Sequence, residues 1–173
     1  QWTDDTTVLI ASGGLKFIGG HASSLEFISN KSSGSFYING GISNTSATAA
    51  STITINDNVS VTVSVSDFLN QGLIANSLGL VINGNGDLKV SYGDVQGKIQ
   101  FNGSGVYAFT DVSKSEDVDL TFSGGSTVHI SGSAGDGGKT DLNISNGSAI
   151  KIDGNVGDSN DSTITINDTS SLK

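Results

Sequence analysis

Residues 104–169 read SGVYAFTDVSKSEDVDLTFSGG, STVHISGSAGDGGKTDLNISNG and SAIKIDGNVGDSNDSTITINDT, three segments of 22 residues that align without a gap. Four columns of this alignment are apolar throughout. They contain Val106, Val128, Ile150 and Leu172; Ala108, Ile130 and Ile152; Leu120, Leu142 and Ile164; and Phe122, Ile144 and Ile166. A fixed repeat of this size is typical of a solenoid, because each coil buries its apolar face only by stacking on the next coil.

Each segment contains two short stretches in which apolar and polar residues alternate. In the second segment, Val128 and Ile130 fall on one face, while Thr127 and His129 fall on the other. A period of two predicts a β-strand. One further apolar column lies in the Gly-rich bend between the two stretches and predicts a short third wall: Val112, Ala134 and Val156. The sequence therefore predicts an all-β, single-domain β-solenoid, a right-handed parallel β-helix with coils of about 22 residues.

Similar short stretches of alternating apolar and polar residues continue upstream, although their spacing is less regular. The heptapeptide STITIND at residues 51–57 recurs letter for letter at residues 162–168, which extends the architecture towards the N-terminus. We interpret residues 1–173 as one domain, in which residues 98–173 form the most regular coils. Residues 1–14 are a candidate N-terminal cap or assembly strand.

Two apolar pairs near the N-terminus lie 21 residues apart, close to the later repeat. Leu15 and Phe17 form the first pair, and Phe36 and Ile38 form the second. The spacing predicts that the second pair stacks on the first.

The charge of the chain restricts the partners that it can have. Seventeen acidic and eight basic residues give a net charge of −9, and every basic residue is a lysine. Phosphate and base-edge recognition depend on positive charge and on the guanidinium fork, so we expect no nucleic-acid partner. No apolar stretch is long enough to span a bilayer, so we expect no membrane insertion. Low lysine content and abundant small polar residues favour the outside of a bacterial cell.

Two stacked carboxylates are the candidate metal ligands. Asp136 and Asp158 each follow a glycine and occupy one column, so their stacked carboxylates repel each other unless a cation lies between them. Calcium prefers carboxylate and carbonyl oxygens in flexible loops, and it is the one cofactor that we consider. The alternative is a pair of solvated loop aspartates that bind nothing, and the sequence predicts no other cofactor.

No set of residues predicts a catalytic centre. His129 and His21 each lack a second histidine or a cysteine nearby, which argues against a metal site or a general base. The column containing Asp117, Lys139 and Asp161 alternates in sign and predicts a structural ladder of charges. A glycoside hydrolase needs two carboxylates in a groove, and Asp117 with Asp119, or Asp141 with Asp161, would have that spacing by chance. The sequence therefore predicts a protein that is not an enzyme.

The Val-x-Ile and Leu-x-Ile strands and the Gly-Asp bends of residues 126–173 resemble the β-helical passenger regions of bacterial autotransporters and filamentous-haemagglutinin-like adhesins. The resemblance covers residues 98–173 best and includes no catalytic or receptor motif. It implies an exported, elongated surface protein that acts in adhesion or cell-cell association or as a stalk, with a receptor or a glycan as partner.

A second hypothesis is a self-assembling subunit of a filament, pilus-like fibre or surface layer. Residues 170–173 match the opening of a fourth repeat, so strand addition between Leu172 and the Val8–Ile10 segment of another copy would continue the core. The partner is then the chain itself. A polysaccharide-active β-helix enzyme is the third hypothesis.

Overall fold

In a computed structural model of the protein, the described residues form β-strands, turns and irregular segments and contain no helix. The described residues are 2–3, 7–10, 15–17, 23–29, 32–38, 42–44, 50–64, 79–95, 97–112, 117–135, 137–157 and 161–173. The strands in chain order are β1 (Trp2–Thr3), β2 (Thr7–Ile10), β3 (Leu15–Phe17), β4 (Ser24–Ile28), β5 (Gly34–Ile38), β6 (Ile42–Asn44), β7 (Ser51–Ile55), β8 (Val59–Val63), β9 (Leu80–Asn83), β10 (Asp87–Val95), β11 (Gly97–Phe101), β12 (Val106–Val112), β13 (Val118–Phe122), β14 (Thr127–Ile130), β15 (Thr140–Ile144), β16 (Ala149–Ile152), β17 (Thr163–Ile166) and β18 (Ser171–Leu172).

Two parallel sheets of eight strands each contain most of these strands. Sheet 1 has the order β1-β4-β7-β9-β11-β13-β15-β17, and sheet 2 has the order β2-β5-β8-β10-β12-β14-β16-β18. The chain therefore alternates between the two sheets and returns to each sheet one strand further along. The parallel pair β3-β6 forms a third stack near the N-terminus, and a separate ladder of single bridges joins Val112, Ala134 and Val156 after sheet 2 in the later coils. The predicted β-solenoid and its short third wall are confirmed, whereas the hand of the coil stays a prediction.

The coil changes length along the solenoid. In the C-terminal part, Asp111 Oδ1 accepts a hydrogen bond from the backbone N–H of Ser133, 22 residues away. Further upstream, Asn102 reaches Asn83 across 19 residues, and Asn85 reaches Asp57 across 28 residues. A fixed-period alignment fails upstream of residue 110 because the corners lose and gain residues while the strands keep their stacking.

The core runs between the two sheets and is apolar along its length. Strands of both sheets show strict alternation of buried and partly exposed positions, as in β7, β8, β13 and β15. It includes an aromatic cluster in which the Phe101 ring centroid lies 4.7 Å from those of Tyr107 and Phe122 and 5.8 Å from that of Phe109. Burial of these large side chains is the main driving force for stacking the coils.

The structure confirms the apolar columns of sheet 1 and corrects part of those in sheet 2. Leu120, Leu142 and Ile164 are stacked Cα partners, as are Phe122, Ile144 and Ile166. The two copies of the STITI sequence both lie in sheet 1, as β7 and β17. The two apolar columns of sheet 2 are confirmed from β14 onwards, where Val128 pairs with Ile150 and Ile130 pairs with Ile152.

In strand β12 the prediction was wrong by one residue. Tyr107, not Val106, pairs with Val128, and Phe109, not Ala108, pairs with Ile130. Tyr107 is 0% exposed and Val106 is 49% exposed. A shift of one residue moves every side chain to the opposite face, and the shift chosen here buries two aromatic rings instead of a valine and an alanine.

The stacking predicted near the N-terminus is also wrong. Phe36 pairs with Val8 in sheet 2, while Leu15 pairs with Ile42 in the third stack. These first coils are longer than 22 residues, so the 21-residue spacing connects different walls. The strands within residues 1–14 are the first strands of sheets 1 and 2, and the capping role stays a prediction.

Tyr107 provides a test of the corrected register. Its hydroxyl is buried near the backbone of Gly105 and makes no hydrogen bond of good geometry, and burial raises its pKa to about 12. A buried hydroxyl without a partner costs about 1–3 kcal/mol, so Tyr107→Phe should leave the melting temperature unchanged or raise it. Thermal melting followed by circular dichroism measures this. Clear destabilisation would show that the hydroxyl makes a strong hydrogen bond. That result would contradict the corrected register, in which Tyr107 points into the core.

Candidate functional site

The outer face of sheet 2 contains a column of outward side chains that concentrates positive charge. Lys89 on β10 pairs with Ala108 on β12, Ala108 pairs with His129 on β14, and His129 pairs with Lys151 on β16. We call these four residues the basic column. Lys89, Ala108 and His129 each lie between two buried residues of their strand, and Lys151 lies between buried Ile150 and partly buried Ile152. The alternation of each strand therefore directs these side chains away from the core.

Ala108 opens a hollow in the middle of the basic column. Its methyl group stands between two long side chains, and the strands that carry Lys89 and His129 are two strand spacings apart, roughly 10 Å. The hollow has a volume of about 270 Å³. Its lining consists of Lys89, Val90, Ala108, Phe109, Thr110, His129 and Ser131.

Asp153 holds the side chain of His129, which lines one side of this hollow. Its Oδ2 lies 2.7 Å from His129 Nε2, and its Oδ1 accepts a hydrogen bond from Lys151 Nζ. The Lys151 ammonium, and after it His129, hold the pKa of Asp153 below its ordinary value. The group is therefore a carboxylate at neutral pH, and its Oδ2 accepts a hydrogen bond from Nε2–H of His129. In neutral His129 this leaves Nδ1 as a hydrogen-bond acceptor.

The opposite side of the hollow carries an unneutralised cation. Lys89 is exposed and makes no ion pair or hydrogen bond with the described residues. Lys98, Lys139 and Lys151 each lie within 3.5 Å of an aspartate. Lys89 therefore differs from the other lysines on the central strands in having its ammonium available.

The outer face of sheet 1 carries a denser set of charges that neutralise one another. Lys98 Nζ lies 3.5 Å from Asp119, and Lys139 Nζ lies 2.9 Å from Asp141. Burial raises the pKa of Asp141, but hydrogen bonds donated by Thr163 and Lys139 outweigh it and lower the pKa overall. A general acid in glycoside hydrolysis needs the opposite shift.

The predicted charge ladder on this face takes a different form from the one expected. Asp117 Oδ1 accepts a hydrogen bond of 2.8 Å from the backbone N–H of Lys139, while the Lys139 ammonium pairs with Asp141, two residues further along the chain. Asp117 and Asp161 both lie close enough to favour the charged form of Lys139, so the alternating column is present.

The predicted calcium ligands, Asp136 and Asp158, lie outside the described residues, as does His21. Among the residues that are described, no three His, Asp or Glu side chains converge on a common point where a metal ion would bind. Lys89, Ala108, Ser131 and Asp153 were missed by the sequence analysis. The 22-residue alignment placed Tyr107 beside His129, so the alanine between Lys89 and His129 went unnoticed.

Within the described part of the chain, no helix has the length and apolar character required to cross a membrane. Comparison of the chain with protein-family models, with curated proteins and with solved structures finds no significant match.

Proposed function

We propose that the protein is a non-enzymatic extracellular protein of the bacterial surface, in which the solenoid serves as a stalk and its sides bind a receptor or a glycan. The basic column on sheet 2 supports a binding role most directly, because an available ammonium beside a hollow is a recognition feature rather than a folding requirement. A lone exposed lysine contributes little to stability.

The construction of the solenoid supports the stalk. Its sheets are parallel and uninterrupted from the first coil to the last, and their buried apolar residues form one continuous core. A quasi-one-dimensional stack of this kind separates its two ends while it exposes long, regular sides, the geometry used by solenoids that present binding surfaces.

Labelling of intact cells tests the proposed location and role together. Antibodies against the folded protein should label the producing cells without permeabilisation, and beads coated with the protein should attach to cells more than beads coated with serum albumin. Labelling that requires permeabilised cells would contradict the proposal. The matched control is an antibody against a cytosolic protein, which should label permeabilised cells alone.

A polysaccharide-active enzyme is the competing function for a β-helix that binds sugars. We expect the purified protein to release no reducing sugar from a panel of acidic and neutral polysaccharides. Release above the blank that disappears in an Asp119→Asn or Asp141→Asn variant would replace the binding role with catalysis on sheet 1.

Self-assembly is a second candidate function, which is supported by exposed apolar residues on the last described coil. Ile164 and Ile166 are 36% and 44% exposed, although both occupy core columns. A further coil would cover them, whether the same polypeptide or a second copy supplied it. Sedimentation velocity over a concentration series distinguishes these cases, because only association between copies depends on concentration.

A further inference from the structure

We propose that the hollow at Ala108 binds one sugar unit that carries a carboxylate, such as a hexuronate residue within an acidic polysaccharide. This inference rests on the proposed function, in which the sides of the solenoid bind a glycan, and it assigns the site and the ligand class.

The size of the hollow favours a small ligand unit. Pockets for drug-sized molecules occupy about 300–1,000 Å³, and this hollow of about 270 Å³ falls just below that range. It is open on the outer face of a flat sheet, so a sugar within a chain can enter it while its neighbours continue along the surface. The floor at Ala108 is apolar and suits the C–H face of a pyranose ring.

The charges around the hollow favour one carboxylate. Asp153 pairs with Lys151 and His129, whereas the Lys89 ammonium on the other side of the hollow has no ion-pair partner among the residues that the structure describes. Asp87 lies two residues before Lys89, and its Oδ1 accepts a hydrogen bond of 3.1 Å from the backbone N–H of Val106. A single ammonium matches a single anionic group better than it matches a polysulfated or polyphosphorylated chain.

The polar groups opposite Lys89 suit the hydroxyls of a sugar. Ser131 Oγ donates to the Phe109 carbonyl oxygen at 3.4 Å, which leaves its oxygen as an acceptor. His129 Nδ1 is a second acceptor when Nε2–H donates to Asp153. Two acceptors facing one cation across an alanine match the hydroxyls and the carboxylate of one uronate ring. An acidic peptide would use the cation but would lack the hydroxyl donors.

Titration of the ¹⁵N-labelled full chain with trigalacturonic acid, followed by heteronuclear NMR, tests the proposal. Amide shifts should centre on residues 89, 108, 129 and 131. The fully methyl-esterified trisaccharide should bind at least about tenfold more weakly, because the charge-assisted hydrogen bond to Lys89 is lost. Lys89→Gln should weaken binding of the acid to a similar extent and leave binding of the ester unchanged.

Two further variants show whether the hollow itself matters. Ala108→Leu fills the hollow and should abolish binding without lowering the melting temperature, since position 108 faces outward. Lys98→Gln removes a lysine from the opposite sheet and should bind like the wild type. No saturable binding of the trisaccharide, equal effects of Lys89→Gln and Lys98→Gln, or tighter binding of a hexaglutamate peptide would each overturn the assignment.

The outcomes also separate this inference from the proposed function. If antibodies label intact cells but the protein binds no uronate, the assigned ligand is wrong and the surface role stays in place. A protein that binds uronate but is found only inside cells would keep the site and remove the surface role.

Discussion

Replacing Phe101 with aspartate should abolish cooperative folding of the solenoid. Phe101 is 0% exposed and stands at the centre of the aromatic cluster. Loss of a buried phenylalanine costs about 3–5 kcal/mol, and an unpaired carboxylate in its place adds a desolvation penalty of several kcal/mol more. Together these costs are comparable to the free energy of unfolding of a typical domain, about 5–15 kcal/mol. Circular dichroism should show no cooperative thermal transition.

The neighbouring residue provides the matched control. Gln100 directly precedes Phe101 on β11, is exposed and points to the outer face. Gln100→Asp introduces the same charge and should change the free energy of unfolding by less than about 1 kcal/mol. Equal tolerance of aspartate at positions 100 and 101 would contradict the alternation of β11 and with it the position of the core.

Gly103→Ala should destabilise the protein by at least about 3 kcal/mol, the upper range for overpacked sites. A Cβ atom at position 103 would lie 1.4 Å from the carbonyl oxygen of Gly84 in the preceding coil. Gly84 in turn has a φ of 88°, and a Cβ atom added there would lie 2.1 Å from the Ile55 carbonyl oxygen. The contacts at this corner are between backbones, so no side chain can move aside to make room.

Gly125→Ala separates the effect of contact from that of conformation. Gly125 has a φ of 77°, but the nearest atom to an added Cβ would be 3.5 Å away. We expect a loss of about 1–2 kcal/mol from the left-handed conformation alone. Chemical denaturation with urea measures both variants, and similar losses at positions 103 and 125 would contradict the close stacking of corners.

The regular part of the fold could be predicted because two properties coincide there. Between β13 and β17 the coil length is constant, and the two central inward columns of sheet 1 contain only leucine, isoleucine and phenylalanine, so one alignment satisfies both. In β12 the properties conflict, since keeping the period buries Val106 and keeping the aromatics buried shortens the coil. Burial prevails because the free energy gained by burying two aromatic side chains exceeds the cost of shortening the corner by one residue.

The candidate site could not be predicted for the same reason. Its residues come from four strands, and their adjacency depends on a coil of 19 residues followed by longer ones. The charged residues were visible in the sequence, but the hollow depends on a small residue between them, and Ala108 was assigned to the core. Asp153 follows its strand at a bend, where no period applies.

Cross-linking of paired cysteines tests most directly the claim that parallel coils stack in this register and place Ala108 between Lys89 and His129. The chain contains no cysteine, so the double variant Ala108→Cys with His129→Cys has one pair of thiols. Cα partners on adjacent strands lie within the range of a disulfide, about 4.4–6.8 Å, whereas positions 89 and 129 are roughly 10 Å apart. Mild oxidation should therefore link positions 108 and 129 nearly completely, while Lys89→Cys with His129→Cys stays reduced. Efficient linkage of positions 89 and 129, or none between positions 108 and 129 in a folded protein, would contradict the register.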